Sequence, residues 1–473
     1  MPAVPCAAPH SSIYRRRQPE HTLLYRTVQS HLATWLALQD DGTGACAPAA
    51  VEREFRRYLE CGILAHGFAR ARCAECGHHF LIAYSCKGRG ICPSCNTRRM
   101  VETAAHLADH VIPRLPVRQW VLAVPKRLRY HLARDPAVQN AALHLFLSAV
   151  ESALRQCCPG ASAKSRFGAV AFIHRFGALL NPHLHFHCII VDGVFDAAAA
   201  EGAVFHPATR LDEPAIEAVQ AAVRRRLLRT LARRAVLPPE DAQAMAAWDH
   251  GGGFSVNAEV RIEAHERDGL ERLLRYCARP AFALERLRQI DPEHLVYASV
   301  KPCPGGSVSR LLTPLKLLDR LAALIPPPRQ HRHRYYGVLA PNSPLREAVT
   351  ALSAPDSRVV VAPDSPAAAT AAGGKPMPHQ TAHYLWALLL ARIYAAFPLI
   401  CPRCGGEMRI IAFITEALIV QKILTQVGEP TSAPRLAKAR GPPLWEMQDA
   451  ATGETDSQVQ PEPDYQFDQR VAW

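Results

Sequence analysis

The amino-acid sequence predicts an α+β fold: a central antiparallel sheet flanked by helices, with a small cysteine-dense module ahead of it. Three observations carry this expectation. Between about residues 115 and 300, short apolar runs rich in β-formers alternate with stretches of helical periodicity. Two of those runs, 168–176 and 183–191, are joined by Gly177-Ala178-Leu179-Leu180-Asn181-Pro182, a connection short enough for a hairpin. Between residues 61 and 99, glycines and C-x-x-C pairs replace apolar periodicity, as expected of a module held by metal rather than by a core.

A chain of 473 residues exceeds what one core fills, so several domains are expected. Residues 1–60 begin with a Pro/Ala leader and the basic Arg15-Arg16-Arg17, and Val51, Phe55, Tyr58 and Leu59 then fall at helical spacing. Residues 61–112 hold the cysteine module and a helix over about 98–112. The core, 113–350, opens with the buried-strand run Trp120-Val121-Leu122-Ala123-Val124, which stops at Pro125. A basic loop with Lys126, Arg127 and Arg129 and a helix to about residue 157 follow. After the hairpin, 216–236 reads as an amphipathic helix, with Ile216, Val219, Val223 and Leu227 on one side and Arg224, Arg225, Arg226, Arg229, Arg233 and Arg234 crowding around it. Residues 252–262 alternate like a further strand. A helix over 264–279 ends at Pro280, which cannot extend it. Residues 296–300 and 308–312 add a hairpin before Pro326-Pro327-Pro328. The Ala/Pro/Ser/Gly-rich 351–380 reads as a flexible linker, 381–430 as a small helical segment with a C-x-x-C pair, and 431–473 as a disordered tail.

Lys and Arg outnumber Asp and Glu by 55 to 42, a net charge of +13 with pI near 9.2, which favours a polyanionic partner, nucleic acid first. The 15 cysteines are an odd count, several sit in C-x-x-C pairs, and no secretory leader is read before them. Metal sites in a reducing compartment therefore outrank a disulfide framework, and a cytoplasmic location is expected. The apolar stretch 384–400 is broken by Arg392 and falls short of the ~20 residues a spanning helix needs, so no membrane segment is expected.

Cys73-x-x-Cys76 and Cys92-x-x-Cys95, fifteen residues apart, have tetrathiolate zinc spacing. Cys86 and His78 stand by as alternative ligands. A closed site of four protein ligands is structural, so Zn2+ there is assigned to folding and to docking on DNA, with Arg98 and Arg99 among the flanking cations that can meet phosphates. Cys401-x-x-Cys404 is half of such a site and needs ligands from elsewhere.

The run His183-Leu184-His185-Phe186-His187 leads into Cys188-Ile189-Ile190-Val191 and closes at Asp192-Gly193. On a strand the three imidazoles point one way, while Leu184, Phe186, Cys188 and Ile190 face the other layer. Each neutral ring carries a donor and an acceptor, so burying three without partners is costly, and a ligand role explains them. Such a site takes Mg2+ or Mn2+ when substrate phosphate oxygens complete the shell, although by softness it also suits zinc. His174, on the paired arm, is a possible further ligand. On the helix ending at Pro280, Leu270, Leu273, Leu274 and Cys277 share a stripe, whereas Tyr276, Arg272 and Arg279 lie on an adjoining flank. A free phenol has a pKa near 10, so attack on a phosphodiester by Tyr276 needs a metal to polarise the phosphate.

Taken together, these segments resemble the HUH rolling-circle transposases of the insertion-sequence 91 type, including the related common-region elements. The resemblance is carried by Ser85-Cys86-Lys87 and Cys92-Pro93-Ser94-Cys95, by the strand and loop from Trp120 to Arg129, by Asn181-Pro182-His183-Leu184-His185-Phe186-His187 with Asp192-Gly193, and by Arg275-Tyr276-Cys277-Ala278-Arg279-Pro280. Leu312-Thr313-Pro314, Pro326-Pro327-Pro328-Arg329 and Tyr336-Gly337-Val338-Leu339-Ala340-Pro341-Asn342 also look like that family, and the likeness spans roughly 50–350 plus the Cys401 motif. It implies a metal-dependent nuclease of the HUH type, acting at transposon ends through single-stranded DNA in the bacterial nucleoid. His185 and His187 map to the ligand pair, with His183 beside them, and Tyr276 to the nucleophile that forms a 5′-phosphotyrosine link and leaves a 3′-hydroxyl. Some members carry two tyrosines a helical turn apart. Here the flanking positions are Arg272 and Pro280, so the chain resembles the single-tyrosine branch, which must reset its tyrosine or borrow one from a second protomer in a homodimer. Arg272, Arg279, Lys126, Arg127, Arg129, Arg98 and Arg99 are the expected DNA contacts. Competing readings are a rolling-circle replication initiator, a zinc-ribbon DNA-binding protein without nuclease activity, and a histidine-metal hydrolase that uses water.

Overall fold

The histidine strand, Pro182–Val191, lies inside the largest sheet, and its alternation decides how that sheet is covered. The computed structural model describes residues 16–39, 47–198, 202–209, 211–299, 308–354, 360–361, 401 and 403–440. Two compact units divide the chain. One comprises Met1–Val101, Pro280–Pro328 and Pro378–Trp473, and the other Glu102–Arg279 and Arg329–Met377.

In the second unit the main sheet runs in the order His333–Gly337, Gly168–Phe176, Pro182–Val191, Val117–Ala123, Ser255–Asn257, with Arg261–Ile262 also paired to Val117–Ala123. All these pairings are antiparallel, so the α+β expectation and its hairpin hold. Leu184, Phe186, Cys188 and Ile190 join Trp120 and Leu122 in one core layer under the helices Pro136–Cys157 and Glu213–Arg233. Phe172, Ile189 and Val191 face the opposite layer with Leu270, Leu273, Leu274 and Cys277 of the helix Arg267–Ala278. The even-numbered face thus seals the larger core, and the odd-numbered face, which carries the histidines, looks toward the tyrosine helix.

Two expectations are corrected here. The basic loop at Lys126, Arg127 and Arg129 is the first turn of a helix, Lys126–Arg134: Pro125 takes the N-cap instead of breaking the chain, and Leu128 and Leu132, four apart, are buried. That helix stops at Asp135, whose side chain caps the next one by accepting from the N–H of Ala137 and Val138. The single strand over 252–262 is two short pieces. The Asn257 side chain accepts from the Glu259 N–H and turns the backbone, and pairing resumes at Arg261.

In the first unit the helices Leu23–Gln39 and Pro314–Leu324 are joined by Trp35, whose indole N–H donates to Asp319 at 2.7 Å. The strands Leu295–Ala298 and Ser309–Leu312 form the expected hairpin, extended by Leu287–Gln289. A separate sheet orders Met408–Ile414, Phe68–Cys73, His79–Ala83, adding a strand where the sequence reading has only a helix and a cysteine pair. Residues 431–440, read as the start of a tail, run beside the first helix, where the Arg440 N–H donates to Thr34 and the Gln29 amide to the Arg435 carbonyl. The remaining tail, most of the linker and the apolar 384–400 lie outside the described residues. Among the described residues no helix is long and apolar enough to cross a membrane.

Where the histidine strand ends, Asp192 is nearly fully buried and accepts from Arg118 at 3.1 Å through both carboxylate oxygens and from Arg261 at 2.7 Å. It ties the end of the histidine strand to the adjacent strand Val117–Ala123 and to Arg261–Ile262, which pairs with that strand on its other side. Replacing Asp192 by Ala would leave the half-buried Arg118 guanidinium without the buried carboxylate it pairs with, a loss expected to destabilise by about 3–5 kcal/mol. Urea unfolding of the variant checks this, and a loss well under 1 kcal/mol would contradict the role given to Asp192.

Candidate active site

Pairing between the hairpin arms sets the site. His174 is directly opposite His185, and Phe172 is opposite His187, so His174 shares the face of the other two. Ring centroids are 4.5 Å apart for His174 and His187, 5.0 Å for His174 and His185, and 5.0 Å for His185 and His187. One nitrogen from each of His174, His185 and His187 lies within 4.8 Å of the others, a spread that one ion can bridge. His183 stands next in line, 4.8 Å from His185 ring to ring, but outside this group of three. Sequence reasoning placed His183 in the trio because period two along one strand is legible, whereas cross-strand register is not.

Hydrogen bonds fix which nitrogens point inward. The Nδ1–H of His185 donates to the His183 carbonyl at 2.9 Å, leaving Nε2 free, and the Nε2–H of His174 donates to the Cys277 carbonyl at 2.6 Å, leaving Nδ1 free. Nδ1 of His187 meets the Gln119 side-chain amide at 2.8 Å. With the amide oxygen turned to accept from Nδ1–H, Nε2 of His187 is free for a metal as well. Three neutral nitrogens therefore suit a divalent cation with open positions for substrate oxygens.

Burial holds all four rings neutral. It pushes His174 and His183 down to about 4, with Arg279 and Arg332 adding to the effect at His174 and Arg129 and His174 at His183. His185 and His187 fall well below the ordinary imidazole value for the same first reason, reinforced by the neighbouring rings. His187 is only 4% exposed.

Tyr276 arrives from the helix Arg267–Ala278, whose apolar stripe docks Leu270, Leu273, Leu274 and Cys277 onto the sheet. Its ring meets His187 edge to face, with centroids 5.6 Å apart at 78°. The Arg279 guanidinium lies 4.3 Å over the Tyr276 ring, a cation–π contact. The structure thus brings Tyr276, Arg279 and the histidines together, and Arg272, exposed, lies one turn before Tyr276 on the same helix. Arg129 lies close enough to His183 to depress it, and Arg127 pairs with Asp241. Lys126 shares the first turn of their helix. Tyr336 packs on the far side of the sheet, and the Tyr335 hydroxyl is engaged by His333 at 3.4 Å.

In the other unit, the four cysteines read as a single site fall into two. Cys92 and Cys95 meet Cys61 and Cys86, with sulfur separations of 3.5–3.7 Å. Cys73 and Cys76 meet Cys401 and Cys404, at 3.4 and 3.5 Å. A tetrahedral zinc with bonds of about 2.3 Å puts its sulfurs about 3.8 Å apart, and disulfides would need about 2 Å, so both sets have the dimensions of metal sites. Spacing shows which cysteines share a turn, but not which turns share an ion. Cys61 is an isolated cysteine at the end of the helix Ala49–Glu60, and Cys86 was visible only as an alternative. Arg98 and Arg99 sit on the helix that begins at Pro93, where the Arg99 guanidinium donates to the Lys87 carbonyl at 3.1 Å.

Compared with known families, residues 28–124 match the IS91-type model described as “Transposase zinc-binding domain”, and residues 168–346 match the model described as “Putative transposase”. The first match spans Cys61 through Cys95 and the second spans every histidine above and Tyr276. No curated protein and no solved structure matches the chain. The zinc-binding match, which spans the set Cys61, Cys86, Cys92 and Cys95, supports a structural zinc ion.

Because the unfolded imidazole titrates near 6.5 and His174 and His183 near 4, the unfolded chain binds more protons between those values, and stability there rises with pH. In metal-free protein the contribution should be complete above about pH 6.5 and drain away toward pH 4. Thermal melts across that range should show a shallower pH slope for His174→Gln/His183→Gln than for the parent, and equal slopes would contradict the burial argument.

Proposed function

The chain belongs to the IS91-type transposases, and from that premise we propose that it nicks and rejoins single-stranded DNA at transposon ends through a 5′-phosphotyrosine link on Tyr276. The observation that carries this reading is the edge-to-face contact of Tyr276 with His187, one of three convergent imidazoles. His174, His185 and His187 would hold Mg2+ or Mn2+, with His183 adjacent. The ion, when bound, polarises the scissile phosphate and offsets charge on the five-coordinate phosphorus.

In the proposed reaction the Tyr276 oxygen attacks phosphorus and gives up its proton to solvent, and the bond from phosphorus to the 3′-oxygen breaks, the 3′-oxygen taking up a proton from solvent and leaving as a 3′-hydroxyl. Attack by a 3′-hydroxyl on the phosphotyrosine reverses the exchange, seals DNA and returns the phenol, so no external energy source is consumed. Arg279 fixes the ring from above and brings a positive charge to where the phosphate must lie. The hydrogen bond from His174 to the carbonyl of Cys277, the residue after Tyr276, couples ligand orientation to the position of the nucleophile. With Arg272 and Pro280 a turn away on either side, the helix offers one phenol, so the second transfer reuses Tyr276 or takes that of a second protomer in a homodimer. Arg272, Lys126, Arg127 and Arg129 are proposed to follow the DNA backbone near this site, and Arg98 and Arg99 to do so from the zinc module.

The test incubates a labelled single-stranded oligonucleotide carrying an element end with the protein and Mn2+. A denaturant-stable adduct is expected, absent with Tyr276→Phe. His185→Ala/His187→Ala should remove nicking while leaving DNA binding largely intact. Cleavage with no adduct would point to water as the nucleophile, and binding without cleavage would leave only a DNA-binding role; either result overturns the proposal.

Gln119→Leu should weaken Mn2+ affinity by roughly 10–100-fold, the usual effect of losing a partner that orients a ligand imidazole. Calorimetric titration of the metal reads it directly. Unchanged affinity would show that Gln119 does not orient His187.

A further inference from the structure

Cys401 and Cys404 lie outside both family matches, more than 300 residues along the chain from the pair they meet. Two knuckles face one another. In Cys73-Ala74-Glu75-Cys76-Gly77 and Cys401-Pro402-Arg403-Cys404-Gly405 the glycine after the second cysteine has a positive φ, +70° and +77°, which lets each chain fold back behind its sulfurs. In the first, the Cys73 N–H donates to the His78 carbonyl at 2.7 Å, and in the second the Cys401 N–H donates to the Gly406 carbonyl at 2.8 Å. The turns approach so closely that a Cβ on Gly406 would sit 2.6 Å from the Glu75 carboxylate. Backbone pairing continues the contact: Cys73 is in register with Met408 and Phe68 with Ile414.

Among the described residues, the apolar packing that accompanies this strand pairing is small. Ala71, Cys73, Cys401 and Met408 form one small buried cluster, and Leu64, Phe68, Val420 and Leu424 form another. Clusters of this size rarely stabilise a strand and a helix recruited across so long a stretch, and small folds of this kind use a metal as a staple.

We infer that Cys73, Cys76, Cys401 and Cys404 bind a second structural zinc ion, separate from the one held by Cys61, Cys86, Cys92 and Cys95, and that this ion clasps the strand Met408–Ile414 and the helix Ala417–Val427 to the strand Phe68–Cys73. The zinc-binding module is then built from both ends of the sequence. The two ions differ in access: all four cysteines of the first set are buried, whereas Cys76 and Cys404 are exposed. A chelator reaches the clasp first.

Metal analysis of the purified full-length protein, stripped of loosely bound Mg2+ and Mn2+, should count two zinc ions per chain, released to a chromogenic chelator in two phases, the faster one lost in Cys401→Ser/Cys404→Ser. That variant should keep one zinc and become sensitive to protease around residues 408–427, while Cys86→Ser should lose the slow phase and keep the fast one. One zinc in the parent protein, or an unchanged count in Cys401→Ser/Cys404→Ser, overturns the inference. Should that variant fail to fold, the parent's count decides alone. None of these readouts depends on DNA cleavage, so the clasp stands or falls independently of the nuclease reading.

Discussion

Register between the two arms of the histidine hairpin is the constraint on which the rest depends. Each residue from Leu184 to Ile190 has one permitted face, because Leu184, Phe186, Cys188 and Ile190 complete a core that excludes water under two long helices. A slip of one residue would bury the imidazoles there and expose the apolar set, so the core itself enforces the histidine platform. Asp192 locks the far end through Arg118 and Arg261. The opposing arm then has no freedom: His174 falls opposite His185.

That arrangement carries a cost which the site turns to use. Four imidazoles gathered on one face, close to Arg279 and Arg129, cannot all be charged, and burial drives each toward the neutral form. A neutral ring with one nitrogen engaged by a carbonyl presents its other lone pair in a fixed direction, which is what a metal ligand requires. The carbonyls of His183 and Cys277 serve this purpose, and the second belongs to the helix that delivers Tyr276. In the proposed reaction, ligand and nucleophile would therefore be oriented by a shared piece of backbone rather than by independent loops.

Period-two and period-3.6 patterns made much of this legible in the sequence. The hairpin, the apolar stripe of the tyrosine helix and the flank shared by Tyr276 and Arg279 all follow from alternation within one element. What the sequence hid was long-range pairing. His174 could be named as a further ligand, but its place in the cluster with His185 and His187 follows from cross-strand register. Cys61 gave no signal because it lacks a neighbouring cysteine, and Cys401 and Cys404 found their partners across most of the chain. Local chemistry also misled in two places. Pro125 was read as a stop and a loop, although a proline at that position starts a helix, and the turn at Asn257 breaks an alternation that looked continuous.

The central claim is that His174, His185 and His187 hold one divalent ion beside Tyr276. Anomalous diffraction from crystals soaked in Mn2+ tests it most directly. A single manganese peak bonded to Nδ1 of His174 and Nε2 of His185 and His187, on the side facing the Tyr276 ring, is the expected result. A peak bound elsewhere, or no peak at the three imidazoles at saturating Mn2+, would contradict it.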